Sequence, residues 1–174
     1  MQTQKLVAAL FIVMNGFLQL HAQSSMQMIS KYTGDWKAEY TMWMDTSSAS
    51  MTYELSVHSD MIMNNLFLTS HFTGNVMGMN YEGINTIGFD SQKGIFQSTW
   101  IDNMNSGISY LEGKAGGDGK SIEFRGTVFD AISGKDVPVK QVITLVDDMH
   151  EKIEMITMVG GKEMKTLEIN LVKR

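Results

Sequence analysis

Sixteen methionines and no cysteine make thioether sulfur the one soft donor in this chain of 174 residues. Several methionines stand one residue apart: Met26/Met28, Met42/Met44, Met61/Met63 and Met77/Met79. On a strand, residues i and i+2 share a face, so such a pair can offer two sulfurs, a donor set suited to Cu(I). A third ligand is then needed, and His58 or His71 is available. The competing reading is packing, because Met is an adaptable core filler. Met42 and Met44 continue the apolar face that begins at Trp36, and Met77-Gly78-Met79, flanked by Asn75 and Asn80, stands where a hairpin must turn. Core and turn are the expectation for these methionines, and no metal or other cofactor is assigned.

Three histidines follow the first segment: His58, His71 and His150. They are far apart and lack the i, i+4 spacing of a helical metal site. His71, with Asn65, Thr69 and Thr73 on its face, is the one candidate site residue among them. The carboxylates say more. Asp102 shares a face with Trp100, Glu112 with Tyr110 and Ile108, and Glu154 with Ile156 and Met158. A carboxylate on an apolar face is costly to desolvate unless paired. Arg125, with Glu123 and Thr127 on its face, is an available partner. Two carboxylates and an arginine inside a barrel would fix a polar ligand head, or run acid–base chemistry if one pKa is raised. The alternative is a solvated set or a structural ion pair. No G-x-S-x-G nucleophile elbow occurs. The glycine-rich run Gly113–Lys120 lacks phosphate-loop spacing and leads into a strand, so it reads as a hairpin loop.

The elements that must position these groups are strands. One proline, sixteen glycines and many period-two runs bounded by Gly, Asn and Asp point to short antiparallel strands. The expected strands are 35–44, 50–58, 65–76, 79–90, 93–102, 106–115, 119–130, 136–147, 150–159 and 162–173. In the second, Met51, Tyr53, Leu55 and Val57 face inward while Thr52, Glu54, Ser56 and His58 face out. Asp118-Gly119 and Gly160-Gly161 are hairpin signals, because glycine reaches positive φ without a Cβ clash. The one helical candidate is short, from Met26 to Tyr32. A meander of about ten strands most simply closes on itself, which removes unpaired edges. Barrels of this size can hold a small ligand.

Residues 1–22 read as a signal peptide: Lys5, an apolar run from Leu6 to Leu20, and Ala22 before the expected cut. Residues 23–33 are then a segment with the short helix, and 34–174 the barrel domain. An exported protein without cysteine folds without disulfides. The chain has 14 Lys and Arg against 19 Asp and Glu, and the leader removes a lysine and no acid. That balance argues against nucleic acid and anionic membrane surfaces as partners. The mature chain shows no membrane-spanning run, and its location is expected to be periplasmic or secreted.

Gly34-Asp35-Trp36 resembles the opening of the calycin barrels, which include lipocalins and fatty-acid-binding proteins. Gly78-Met79-Asn80-Tyr81-Glu82-Gly83, Gly88-Phe89-Asp90, Ser98-Thr99-Trp100-Ile101-Asp102 and Ser133-Gly134-Lys135 are similar to a bacterial family known as a domain of unknown function, number fifteen seventy-nine. The resemblance spans 33–172, with Asn80 where such chains often have proline. It implies an all-β, calycin-like closed barrel and carries no activity. In the better-known calycins an arginine near the last strand covers the tryptophan; here Lys173 or Arg174 stands in that region. The leading expectation is a barrel binding a small, mostly apolar ligand. Its site residues are Trp36, Tyr40, Tyr53, His71, Trp100 and Tyr110, with Asp102, Glu112 or Arg125 as polar handle. The alternatives are a structural or envelope-interaction barrel with a filled lumen, and an enzyme acting on a lipid-like molecule. No catalytic residue is assigned, and the oligomeric state is not read from the sequence.

Overall fold

The computed structural model describes residues 23–45, 48–130, 134–159 and 161–174. The leader expected over 1–22 and the turn residues Ser133 and Gly160 lie outside the described residues. Ten strands follow one another: β1 (Gly34–Met42), β2 (Met51–Ile62), β3 (Phe67–Val76), β4 (Met79–Asp90), β5 (Ile95–Asp102), β6 (Ser109–Ala115), β7 (Ser121–Asp130), β8 (Lys135–Asp147), β9 (His150–Val159) and β10 (Lys162–Lys173). Each pairs antiparallel with the next, and β10 returns to β1, so the sheet closes into a barrel. Closure leaves no unpaired strand edge. The all-β meander expected from the period-two pattern is therefore the fold, and its closed form matches the calycin resemblance.

Alternation decides which side chains face the lumen. On β2, Leu55, Val57 and Ser59 are buried while Thr52, Glu54, Ser56 and His58 are exposed. Trp36 and Ala38 on β1, Phe96 on β5, Ile122 and Phe124 on β7 and Leu171 on β10 complete the core. Two strands end elsewhere than the sequence suggests. β1 stops at Met42, so Met44 leaves the apolar face and is exposed; β2 continues to Ile62. The turn at Met77-Gly78 has positive φ at both residues, 54° and 79°, as a two-residue type I′ hairpin requires. Met77 in that turn and Met79 just after it are both exposed, so this methionine pair belongs to a hairpin tip.

The helix occupies 23–30, not Met26 to Tyr32; Tyr32 has left it by a turn. Ile29 has no exposure and Tyr32 is 3 % exposed, so the segment plugs one end of the barrel. Two hydrogen bonds fasten it: the Trp36 Nε1–H donates to the Tyr32 carbonyl at 3.1 Å, and the Tyr32 hydroxyl donates to the Lys120 carbonyl at 3.1 Å in the β6–β7 hairpin. The plugged end carries the β2–β3, β4–β5, β6–β7 and β8–β9 turns; the other five connections lie at the far end. Among the described residues no helix is long and apolar enough to cross a membrane.

Candidate functional site

Between the plug and the far end the lumen is not filled. A cavity of about 240 Å³ lies there, with apolar walls from Phe72, Leu111, Ile153, Met155 and Ile169. Met42, Trp100, Ser109, Val128 and Thr166 line it toward the end opposite the helix. A register shift between Lys165 and Leu167 on β10 lets Thr166 and Leu167 both face the space. The volume exceeds the roughly 150 Å³ apolar cavity that admits benzene. Ile108 and Phe129, 74 % and 69 % exposed, stand near the same end of their strands.

Trp100 is the wall most closely fixed by its neighbours. Its indole lies over Gly83, where an added Cβ would come within 2.6 Å of the ring. Phe72 meets it edge-on at 5.2 Å between centroids. Its Nε1–H donates to Asp102 Oδ2 at 2.8 Å. The other Asp102 oxygen accepts the backbone N–H groups of Met104 and Asn105 and the Asn105 side-chain amide. Asp102 is thus a clamp that ties Trp100 to the β5–β6 loop, with its acceptor capacity engaged.

The polar groups on the cavity wall are Tyr40, Asn85, Ser98, Ser109, Gln141 and Thr166. Asn85 Nδ2 donates to Ser98 Oγ at 2.9 Å and to the Thr99 carbonyl at 2.8 Å. The Tyr81 ring stands beside Tyr40, tilted, with centroids 6.1 Å apart. Burial first, then the Asp102 charge, pushes the Tyr40 hydroxyl up to about 12, so it stays protonated at neutral pH. No acid, base or strong nucleophile stands among the described lining residues.

The residues singled out in the sequence separate into three groups. Tyr40 and Trp100 line the cavity. Trp36 and Tyr53 share the inward face but not the cavity wall: Trp36 is fully buried at the plugged end, and the Tyr53 hydroxyl meets Met51 Sδ at 3.6 Å. The expected lumen placement of Tyr110, Glu112 and Arg125 does not hold. Leu111 and Gly113 are the buried residues of β6, which turns Tyr110 and Glu112 outward; Phe124 does the same to Arg125. Outside, the Tyr110 hydroxyl donates to Glu112 at 2.8 Å, and Arg125 pairs with Glu123 at 2.7 Å. Glu112 and Arg125 face each other in register along a surface groove of about 500 Å³. His71 is exposed on the outer face, opposite His58.

Sequence reasoning passed over Asn85, Ser98 and Gln141. A signal was present in each case: Asn85 falls between Gly83 and Ile87 on the inward parity of β4, Ser98 between Phe96 and Trp100, and Gln141 between Val139 and Ile143. It also passed over Glu151, 8 % exposed and without a hydrogen-bond or ion-pair partner among the described residues. Burial raises its carboxyl to about 8.

A family model described as "Protein of unknown function (DUF1579)" matches residues 21–173. No curated protein matches the chain.

Proposed function

Since the chain belongs to the DUF1579 family, whose description names no activity, we propose from its own geometry that it is an exported barrel binding one small, mostly apolar ligand in its lumen. The observation that carries this reading is the cavity of about 240 Å³ in the barrel lumen. Protein interiors rarely leave voids larger than a water, and an unfilled lumen of this size is destabilising unless something occupies it. Apolar walls with a few placed polar groups are the ordinary composition of a small-molecule pocket. The same observation weighs against a barrel filled by its own side chains. An enzyme has less support, because the wall offers hydroxyls and amides but no acid–base pair. Export is supported by the Lys5-led apolar run, which the family match leaves outside its bounds.

Native mass spectrometry of protein exported by a bacterial host and purified without added lipid tests the reading. An added mass of small-molecule size, lost when the cavity is filled by mutation, is the expected result. A bare mass, together with no uptake of any apolar probe, overturns it.

A further inference from the structure

Resting on the binding reading above, we infer that the cavity selects an uncharged ring-sized ligand bearing both a hydrogen-bond donor and an acceptor, as a primary amide or an alcohol does, and rejects the matching carboxylate. Among the described residues the polar groups on its wall are all neutral, and no Lys, Arg or His lines it. A carboxylate entering an apolar, enclosed space without a counter-charge loses its hydration and gains no ion pair. Asp102, hydrogen-bonded to Trp100 and to the loop after it, makes matters worse for an anion, because its field already opposes ionisation of Tyr40.

The hydrogen-bond bookkeeping of Asn85 gives the sign of the polar contact. The Thr99 carbonyl can only accept, so the group facing it is the Asn85 NH₂, and its second hydrogen goes to Ser98. Asn85 Oδ1 is left with no donor from the protein among the described residues, yet it is not sealed from accessible space. It therefore presents an acceptor to the cavity that a ligand N–H or O–H satisfies and a carboxylate cannot. Ser98, accepting from Asn85, keeps its own hydrogen to give. Four strands away round the barrel, the Gln141 amide lines the cavity with no protein partner among the described residues and offers a donor as well as an acceptor. An amide or alcohol matches such walls in both directions.

Benzamide, benzoate and toluene have nearly one shape and differ in charge and hydrogen bonding, and all three suit the volume. Isothermal titration calorimetry of each into the purified protein at pH 7.5, where benzoate is fully ionised, reads the selectivity. Benzamide is expected to bind on the order of tenfold or more tighter than benzoate and several-fold tighter than toluene, as one or two net hydrogen bonds give. Gln141→Leu is expected to bring the ratio of benzamide to toluene affinity down toward one. Gln141→Met, closer in length, serves the same purpose if the leucine disturbs the barrel. Benzoate binding as well as benzamide, or benzamide no better than toluene, overturns the neutral donor–acceptor assignment and leaves the binding barrel standing. Binding of none of the three overturns both readings.

Discussion

The Lys173 ammonium lies 5.1 Å from the centre of the Trp36 ring, and the two residues are register partners across the β1–β10 seam that closes the barrel. The lysine stem also runs against Gly34, where an added Cβ would fall 2.6 Å from Lys173 Cε. A cation over an indole face adds about 0.5–1 kcal/mol at a partly exposed site, and the stem adds packing. Lys173→Arg is expected to hold stability, Lys173→Met to lose about 0.5–1 kcal/mol, and Lys173→Ala to lose more. Urea unfolding followed by tryptophan fluorescence measures each; a Met variant as stable as the parent removes the cation–π contribution.

Glu151 sets a pH dependence of definite sign. Its carboxyl, raised to about 8 by burial, is neutral in the folded barrel across a range where the unfolded chain has released the proton. The folded state then binds more protons than the unfolded state, so stability falls as pH rises from the unfolded value near 4.5 to about 8, and levels off above. The whole fall is on the order of 5 kcal/mol. The Tyr32 hydroxyl, the titratable neighbour that feels Glu151, is itself held protonated by burial. Glu151→Gln is expected to flatten the slope, matching the parent near pH 4 and exceeding it above pH 8. Parallel stability curves for the two proteins would show that the carboxyl stays ionised in the fold.

On the outer face His58 lies between two carboxylates, with Asp35 at 2.6 Å from Nδ1 and Asp60 at 2.8 Å from Nε2. The Asp35 hydrogen bond first, then that of Asp60, raises its pKa above the ordinary histidine value. A raised histidine contributes stability that is complete below the unfolded pKa and is lost as pH rises through the folded one. The group is exposed, so the signature is in the titration more than in the stability. Asp35→Asn and Asp60→Asn are each expected to bring the His58 midpoint down, Asp35→Asn by more. NMR of the imidazole protons reads it, and an unmoved midpoint in both variants would dissolve the pairing.

Strand number and most strand bounds were legible because a half-buried strand must alternate, as β2 does over its full length and β4 from Tyr81 to Ile87. Which parity faces inward was not legible on β6 and β7. There the register partners of Leu111 and Phe124 are Gly126 and Gly113, which carry no side chain to mark a face, so Tyr110 and Glu112 look as inward as their neighbours. Asp102 was placed on the correct face, but its bonds to Trp100 and the following loop could not be read from spacing. The cavity itself is a volume left by ten strands together, and one-dimensional alternation has no term for it. Lys173 over Trp36 was within reach, because the calycin resemblance points to a cation near the last strand.

Gly83 holds a place for Trp100 in a way that single substitution exposes. An alanine there would set its methyl 2.6 Å from Cζ2 and 2.8 Å from Cη2 of the indole, so the ring must move. Overpacking of this kind costs roughly 1–3 kcal/mol. Gly83→Ala is expected to lower stability by that order, shift the tryptophan emission, and weaken ligand binding through the displaced wall. An alanine variant with unchanged emission and affinity would mean that the indole is not fixed by this contact.

Filling the cavity separates binding from folding. Ser109 opens β6 at the far end of the barrel, lines the cavity, and makes no side-chain hydrogen bond among the described residues. A phenylalanine there has empty space to enter, so no close-packed neighbour need give way, and the apolar area it buries offsets the strain of fitting. Ser109→Phe is expected to leave stability within about 1 kcal/mol of the parent or raise it, while lowering affinity for lumen ligands by tenfold or more. Thermal unfolding and calorimetry with benzamide measure the two effects on one preparation. If the ring enters and affinity is unchanged, the ligand binds elsewhere, and the outer groove beside Glu112 and Arg125 becomes the place to look. If affinity falls while the fold holds, the lumen is where binding occurs.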